Sequence, residues 1–118
     1  MAYDEYLGNR IQQIMKLQNL PFYEKKMMGG LIFMVDNKMC CGIHINKKYG
    51  DSLLMARIGE RAYEEHIHKS ECLPMDFTGR AMKGYVFITP DGFDLDEDLN
   101  YWIQLALAYN SQIPSKKG

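Results

Sequence analysis

Two apolar runs, Leu31–Val35 and Met39–Ile45, flank Asp36-Asn37, with Lys38 as a one-residue shoulder. No other feature constrains the fold as tightly. Asn and Asp tolerate the positive φ that tight hairpin turns demand, so the segment predicts an antiparallel hairpin. Its first arm, Leu31-Ile32-Phe33-Met34-Val35, is apolar at every position. Successive strand residues point to opposite faces, so this arm puts apolar side chains on both sides of a sheet. Both sides then need cover. Helices can cover one; a further helix, a ligand or a second copy of the chain must cover the other, and a homodimer is one of those solutions.

The remaining pattern supplies the helices. Tyr3 to Asn19 places Tyr3, Leu7, Ile11, Ile14 and Met15 on one face at a 3.6-residue period, an amphipathic helix that stops before Pro21. Strand character then runs from Lys26 to Ile58: the hairpin, a longer connection from Asn46 to Asp51, and a third strand over Leu53–Ile58. Gly59–Ser70 reads as a short helix with Ala62, Tyr63, His66 and Ile67 on its inner face. Past Pro74 a second β section runs through Met75–Phe77 and Met82–Thr89. It turns at Thr78-Gly79-Arg80 and ends at Pro90-Asp91-Gly92. The last helix begins near Asp94, where Asp94 and Glu97 have capping-box spacing. It turns Leu99, Trp102, Ile103, Ala106 and Tyr109 inward and ends before Pro114. The order is α-β-β-β-α-β-β-α. With short connections and no repeat or linker, it predicts one α+β domain over residues 1–118, an antiparallel sheet with helices against it.

Charge and cysteine content narrow the function classes. The 118 residues carry 14 Lys and Arg against 15 Asp and Glu. Such balance disfavours a protein that holds nucleic acid by global basicity, and no basic recognition helix is present. The distribution is uneven, with seven basic and four acidic groups in residues 1–50 but two and five in residues 91–118. Cys40, Cys41 and Cys72 make an odd count. Asp4, Glu5, Arg10 and Lys16 interrupt the first twenty residues, which do not read as a signal peptide. Both features predict a reducing cytoplasm. The apolar runs fall far short of the roughly 20 residues that span a bilayer, so no membrane association is expected.

Several chemistries can be tested against spacing. Gly50-Asp51-Ser52-Leu53 spells a serine-hydrolase signature, but a base would have to come from downstream and the last histidine is His68. Cys40 and Cys41, adjacent in a strand, are expected on opposite faces and so unable to share an ion. His66 and His68 lie two apart in a helix, where side chains diverge. His68 and Cys72 lack a second ligand pair. Asp94, Asp96 and Asp98 imitate the start of a calcium loop, yet Leu99 and Leu105 stand where Gly and Glu are required. Their charge at a helix N-terminus complements the helix dipole instead. Gly29-Gly30 has no third glycine and reads as a bend or bulge where a strand begins. No catalytic residue, metal or cofactor is expected.

A polar set is left over. Asp76 and Arg80 flank a turn and are placed to pair across it, Arg57 sits near the end of a candidate strand, and Lys83 follows the turn. Three cations so placed could receive an anion or an acidic peptide. The plainer alternative makes Asp76–Arg80 a turn-fixing pair and leaves Arg57 and Lys83 solvated.

An ordered series of segments adds a family resemblance. Met28-Gly29-Gly30-Leu31-Ile32-Phe33-Met34-Val35 is followed by Lys38-Met39-Cys40-Cys41-Gly42 and Leu54-Met55-Ala56-Arg57-Ile58-Gly59. After Tyr63-Glu64 comes Pro74-Met75-Asp76-Phe77-Thr78-Gly79-Arg80-Ala81-Met82-Lys83-Gly84-Tyr85-Val86, its most specific piece. From roughly Glu24 to Tyr109 the chain resembles the TfoX N-terminal domain family. It departs from that pattern in the lengthened Ile45–Ser52 connection and at Ala81, where the family often has proline. The resemblance implies an α+β domain related to secretion-chaperone-like folds. It also implies a non-enzymatic protein that works through a protein partner, since name-giving members regulate bacterial competence together with the transcription machinery. Those regulators add a C-terminal domain, which is not expected in a chain ending at Gly118. The reading is therefore a cytoplasmic regulatory or adaptor domain that binds another protein through Arg57, Asp76, Arg80 and Lys83. The alternative is a small-molecule or anion-binding domain using the same cations.

Overall fold

A computed structural model describes residues 5–27, 30–46, 51–74 and 83–113. Helix α1 (Glu5–Leu17) buries Leu7, Ile11 and Met15 along one stripe and half-buries Ile14. It stops as expected, where Asn19 takes a left-handed φ of 58° just ahead of Pro21. The strands β1 (Tyr23–Met27), β2 (Gly30–Val35), β3 (Lys38–Asn46) and β4 (Asp51–Arg57) follow as a meander. Helix α2 (Gly59–His66), strands β5 (Cys72–Pro74) and β6 (Tyr85–Ile88), a 3-10 turn (Pro90–Gly92) and helix α3 (Asp96–Gln112) complete the chain. The six strands form one antiparallel sheet in the order β1-β2-β3-β4-β6-β5. This is the expected α+β architecture.

The hairpin at its centre forms as the sequence dictates. Asp36 and Asn37 both adopt positive φ, 55° and 61°, and β2 pairs antiparallel with β3. Lys38 is the first residue of β3 and is buried. Its Nζ donates to the carbonyls of Asn110 and Ile113 at 2.8 and 2.6 Å and pairs with Asp36 at 3.3 Å, while Asn110 Nδ2 donates to Val35 O. The turn is thus tied to the C-terminus of α3, where helix carbonyls lack intrahelical donors and attract positive charge.

Four expectations need correction. β1 is an extra strand, absent from the expected order. It pairs from Tyr23↔Met34 to Met27↔Gly30 at the sheet edge, and Tyr23, Glu24, Lys25 and Lys26 are exposed, so it shows no apolar alternation to read. Helix α2 ends at His66, and the chain then turns so that Cys72–Pro74 pairs with β6. The strand expected over Met75–Phe77 lies outside the described residues. The capping box at Asp94 does not form: the residue before α3 is Leu95, with no side-chain cap. Arg10 Nη2 instead donates to Phe93 O, Asp94 O and Asp96 Oδ1, fixing the approach to α3. Asp96, Glu97 and Asp98 still fill the first turn and complement its dipole.

The fourth correction concerns the vicinal cysteines. Phe33 pairs with Cys41 but Met34 with Met39, so Cys40 is an extra residue in a β-bulge. A bulge breaks the strict alternation of faces. Cys40 and Cys41 both enter the same core, fully buried, rather than pointing to opposite sides. Their thiols are close enough to hydrogen-bond, which with burial holds the Cys41 thiol well above its ordinary pKa.

The sheet has two unlike faces. On one, Phe33, Ile43, Leu54, Val86 and Ile88 pack with Ile11 of α1 and Leu99 and Ile103 of α3, and this is the main core. On the other, Ile32, Leu53, Met55 and Phe87 form a second buried cluster, to which Met34, Met39, Leu73 and Tyr85 are added. The doubly apolar β2 is thereby explained, since Leu31, Phe33 and Val35 feed one cluster and Ile32 and Met34 the other. Among the described residues the second cluster is built by strands alone.

Candidate functional site

Arg57 is the last residue of β4, opposite Tyr85 of β6. Its guanidinium lies 5.3 Å from the centre of the Tyr85 ring and 5.6 Å from that of Tyr109 on α3. The two rings hold it from two elements distant in sequence, and all three side chains are half-buried. Arg57 makes no ion pair and no side-chain hydrogen bond with any described residue. Its polar N–H groups are left to solvent or to a partner from outside the described residues. A guanidinium stacked on aromatic rings keeps its N–H donors in the plane of the group, free to meet a carboxylate or phosphate edge-on.

The backbone around it explains the placement. Gly59 opens α2 with φ of 89°, and a side chain there would run into the Tyr109 ring. Glycine alone allows Tyr109 to lie against this turn and reach Arg57. Gly84, at φ of 95°, offers its carbonyl to the N–H groups of both Ile58 and Gly59 at 2.8 and 3.1 Å. Lys83, exposed, precedes Gly84. The end of β4 and the start of β6 are thus fastened together, and Arg57 and Lys83 come to the same end of the sheet. Of the other two expected residues, Asp76 and Arg80, both lie outside the described residues. Tyr85 and Tyr109 were missed as site residues. Tyr109 was read as core from its helical period, and no local signal announces that a core-facing tyrosine will stack on an arginine about fifty residues away.

A second polar cluster was also missed. His66 was expected on the inner face of α2 and is buried there. Its Nδ1 is 2.7 Å from Ala62 O and its Nε2 2.6 Å from the Tyr101 hydroxyl. Trp102 meets the same imidazole edge-on at 5.2 Å and donates its Nε1–H to Gly92 O at 3.0 Å.

Cys72 is buried in the main core, which Trp102 also enters. Burial, with the Glu71 carboxylate next, pushes its thiol up to about 11 against the pull of Lys69. It is a packed thiol and not an activated one. Among the described residues no three His, Cys, Asp or Glu side chains gather closely enough to hold a metal ion. No helix among them is long and apolar enough to cross a membrane.

No curated protein and no solved structure matches the chain. The family model described as TfoX N-terminal domain matches residues 15–109 of the 118, from within α1 to the last turns of α3. That match spans the whole sheet, including the Arg57–Tyr85–Tyr109 stack, and the chain belongs to the TfoX N-terminal domain family.

Proposed function

We propose that this domain is a non-enzymatic regulatory or adaptor module that acts by binding another protein, in the setting of transcription regulation that the name-giving competence regulators of its family suggest. The observation that carries the reading is the Arg57 guanidinium, immobilised by Tyr85 and Tyr109 and committed to no described acidic group. An arginine prepared in this way meets a partner's carboxylate at a small entropic cost, because its rotamer is already chosen. Lys83 on the same end of the sheet adds charge, and Arg80 and Asp76 complete the proposed contact surface. The working partner is an acidic segment of a cytoplasmic protein. Three free, buried cysteines suit that compartment.

The test is capture of partners from the source organism's lysate by the wild-type domain and by Arg57→Glu and the pair Arg80→Glu/Lys83→Glu. Loss of the same captured protein in both reversals, with the thermal midpoint nearly unchanged, supports the surface. Capture equal to wild type by both removes it. The same open guanidinium also favours a second reading, a small carboxylate or phosphate ligand. Such a ligand raises the thermal midpoint of the wild type and not of Arg57→Glu.

A further inference from the structure

About two helical turns before Tyr109, α3 carries Tyr101 and Trp102, which wall a cleft of about 360 Å³ with Lys69, Glu71, Asp91 and Asp98. This cleft is separate from the Arg57 surface. Its chemistry follows from where each polar hydrogen goes. Ala62 O is a carbonyl and only accepts, so His66 Nδ1 carries the hydrogen in that 2.7 Å contact. In that tautomer Nε2 is the acceptor, and Tyr101 donates its hydroxyl hydrogen to it at 2.6 Å. The Trp102 N–H is spent on Gly92 O. Both rings are anchored by their polar ends, 5.4 Å apart and nearly perpendicular.

The cleft is therefore offered the exposed Tyr101 ring, the small open part of the buried Trp102 ring, the lone pairs of the Tyr101 oxygen and three carboxylates. None of these groups is a donor. Glu71, Asp91 and Asp98 make no ion pair with any described residue. Among the described lining residues the one uncommitted side-chain donor is Lys69, exposed on the turn after α2. Its ammonium lies 5.7 Å from the centre of the Tyr101 ring and 5.8 Å from that of Trp102. The chain's own cation thus already sits where the rings and acceptors favour one, and three carboxylates against one ammonium leave the lining net negative. The carboxylates do not gather into a metal site. A fixed pair of rings with dispersed acceptors suits a cation that carries its charge on an organic group.

We infer that this cleft binds an organic cation, an alkylammonium or guanidinium group, and that Lys69 is its resident competitor. The cation can come free or on a basic side chain of a peptide, and the assay separates the two. Trp102 is the chain's single tryptophan and walls this cleft, so its fluorescence, excited selectively over the tyrosines, reports on a change there. The full chain is titrated with ethylguanidinium at constant ionic strength against sodium chloride, and in parallel with an uncharged-ended Gly-Arg-Gly peptide. The expected result is a saturable change with both guanidinium probes and none with sodium. Lys69→Ala should respond at a concentration about five-fold lower or less, because the competitor is gone. Asp98→Asn in the Lys69→Ala background should return most of that gain. Lys69→Gln serves the same purpose if the alanine variant has a lowered thermal midpoint. A peptide at least ten-fold tighter than ethylguanidinium assigns the site to a protein side chain, and equal affinities assign it to a small molecule. A response that tracks sodium chloride, or Lys69 variants that bind no better than wild type, overturns the inference and leaves Lys69 as cover for Trp102.

Discussion

Arg57 and Lys69 are each held across two aromatic rings at nearly the same range, 5.3 and 5.6 Å for one, 5.7 and 5.8 Å for the other. Their surroundings differ. Arg57 stands at the end of β4 on two tyrosines, with no described carboxylate paired to it. Lys69 stands in a cleft lined by three carboxylates and by a tyrosine whose hydrogen is already donated. A cation over aromatic rings has no fixed meaning; the groups around it decide whether it offers a contact or occupies one. Lys38 completes the series. It is buried, and both carbonyls it meets belong to the end of α3 or the residue after it, so its charge is spent on the fold.

The largest effect expected from this comparison therefore comes from Lys38. Lys38→Met keeps much of the aliphatic volume but leaves the carbonyls of Asn110 and Ile113 without their donor and unties the hairpin from α3. Removing a charged donor and stranding buried acceptors costs about 2–4 kcal/mol. Urea unfolding measures it; a loss under about 0.5 kcal/mol would mean that the ammonium is not the latch. Next comes Gly59→Ala. The positive φ alone costs about 1 kcal/mol, and the added methyl drives into the Tyr109 ring. Stability should fall by about 1–3 kcal/mol, and the Arg57 surface should weaken toward its partner because one of its two rings is displaced. Gly59→Ala with full partner binding would break the claim that Tyr109 positions Arg57.

Arg57 itself should matter less to folding. Arg57→Ala removes two cation–π contacts on a partly open surface, about 0.5–1 kcal/mol each, and relieves the charge near Lys83. A net loss of about 1 kcal/mol or less by urea unfolding, with partner capture abolished, is the expected split. Lys69→Ala should cost no more than that, about 1 kcal/mol or less, since its two ring contacts are slightly longer and its ammonium is exposed with no ion pair to a described residue. If Lys69→Ala destabilises more than Arg57→Ala, the contrast between the two cations is reversed.

How much of this could be read in the sequence follows from what each signal is made of. The hairpin was legible because Asp36-Asn37 is a local instruction, and the helix faces because α1, α2 and α3 repeat at a helical period. β1 was not, because an edge strand that shows its side chains to water carries no alternation. The bulge at Cys40 was invisible for a related reason. Register is settled between strands, and a one-residue offset between Phe33 and Met34 leaves no trace in either strand alone. Arg57 and Lys83 were singled out because charge near strand ends is conspicuous. Their aromatic partners were hidden, since Tyr85 and Tyr109 are also what a core would use. His66 was correctly placed on an inner face, but its link to Tyr101 spans thirty-five residues, and pattern alone does not reveal it.

The smallest effect is also the one that tests the surroundings of Lys69 without any ligand. Cys72 is held at about 11 by burial first and the Glu71 charge second, while Lys69 pulls the other way. Lys69→Ala should therefore move the Cys72 thiol higher and Glu71→Gln should move it lower, read from the pH dependence of its alkylation. Cys40 and Cys41, fully buried, stay silent in the folded protein. The sign for stability follows from the same shift. A thiol whose pKa is raised by folding holds its proton more tightly in the native state. The contribution is complete below the unfolded thiol value of about 8.5 and is lost as pH rises from there toward 11. The thermal midpoint should accordingly fall above about pH 8.5, and fall less in Cys72→Ser. Should Lys69→Ala leave the Cys72 titration where it was, the ammonium does not stand near enough to the Cys72 thiol to lower it, and the placing of Lys69 in the contrast between the two ring-bound cations loses that support.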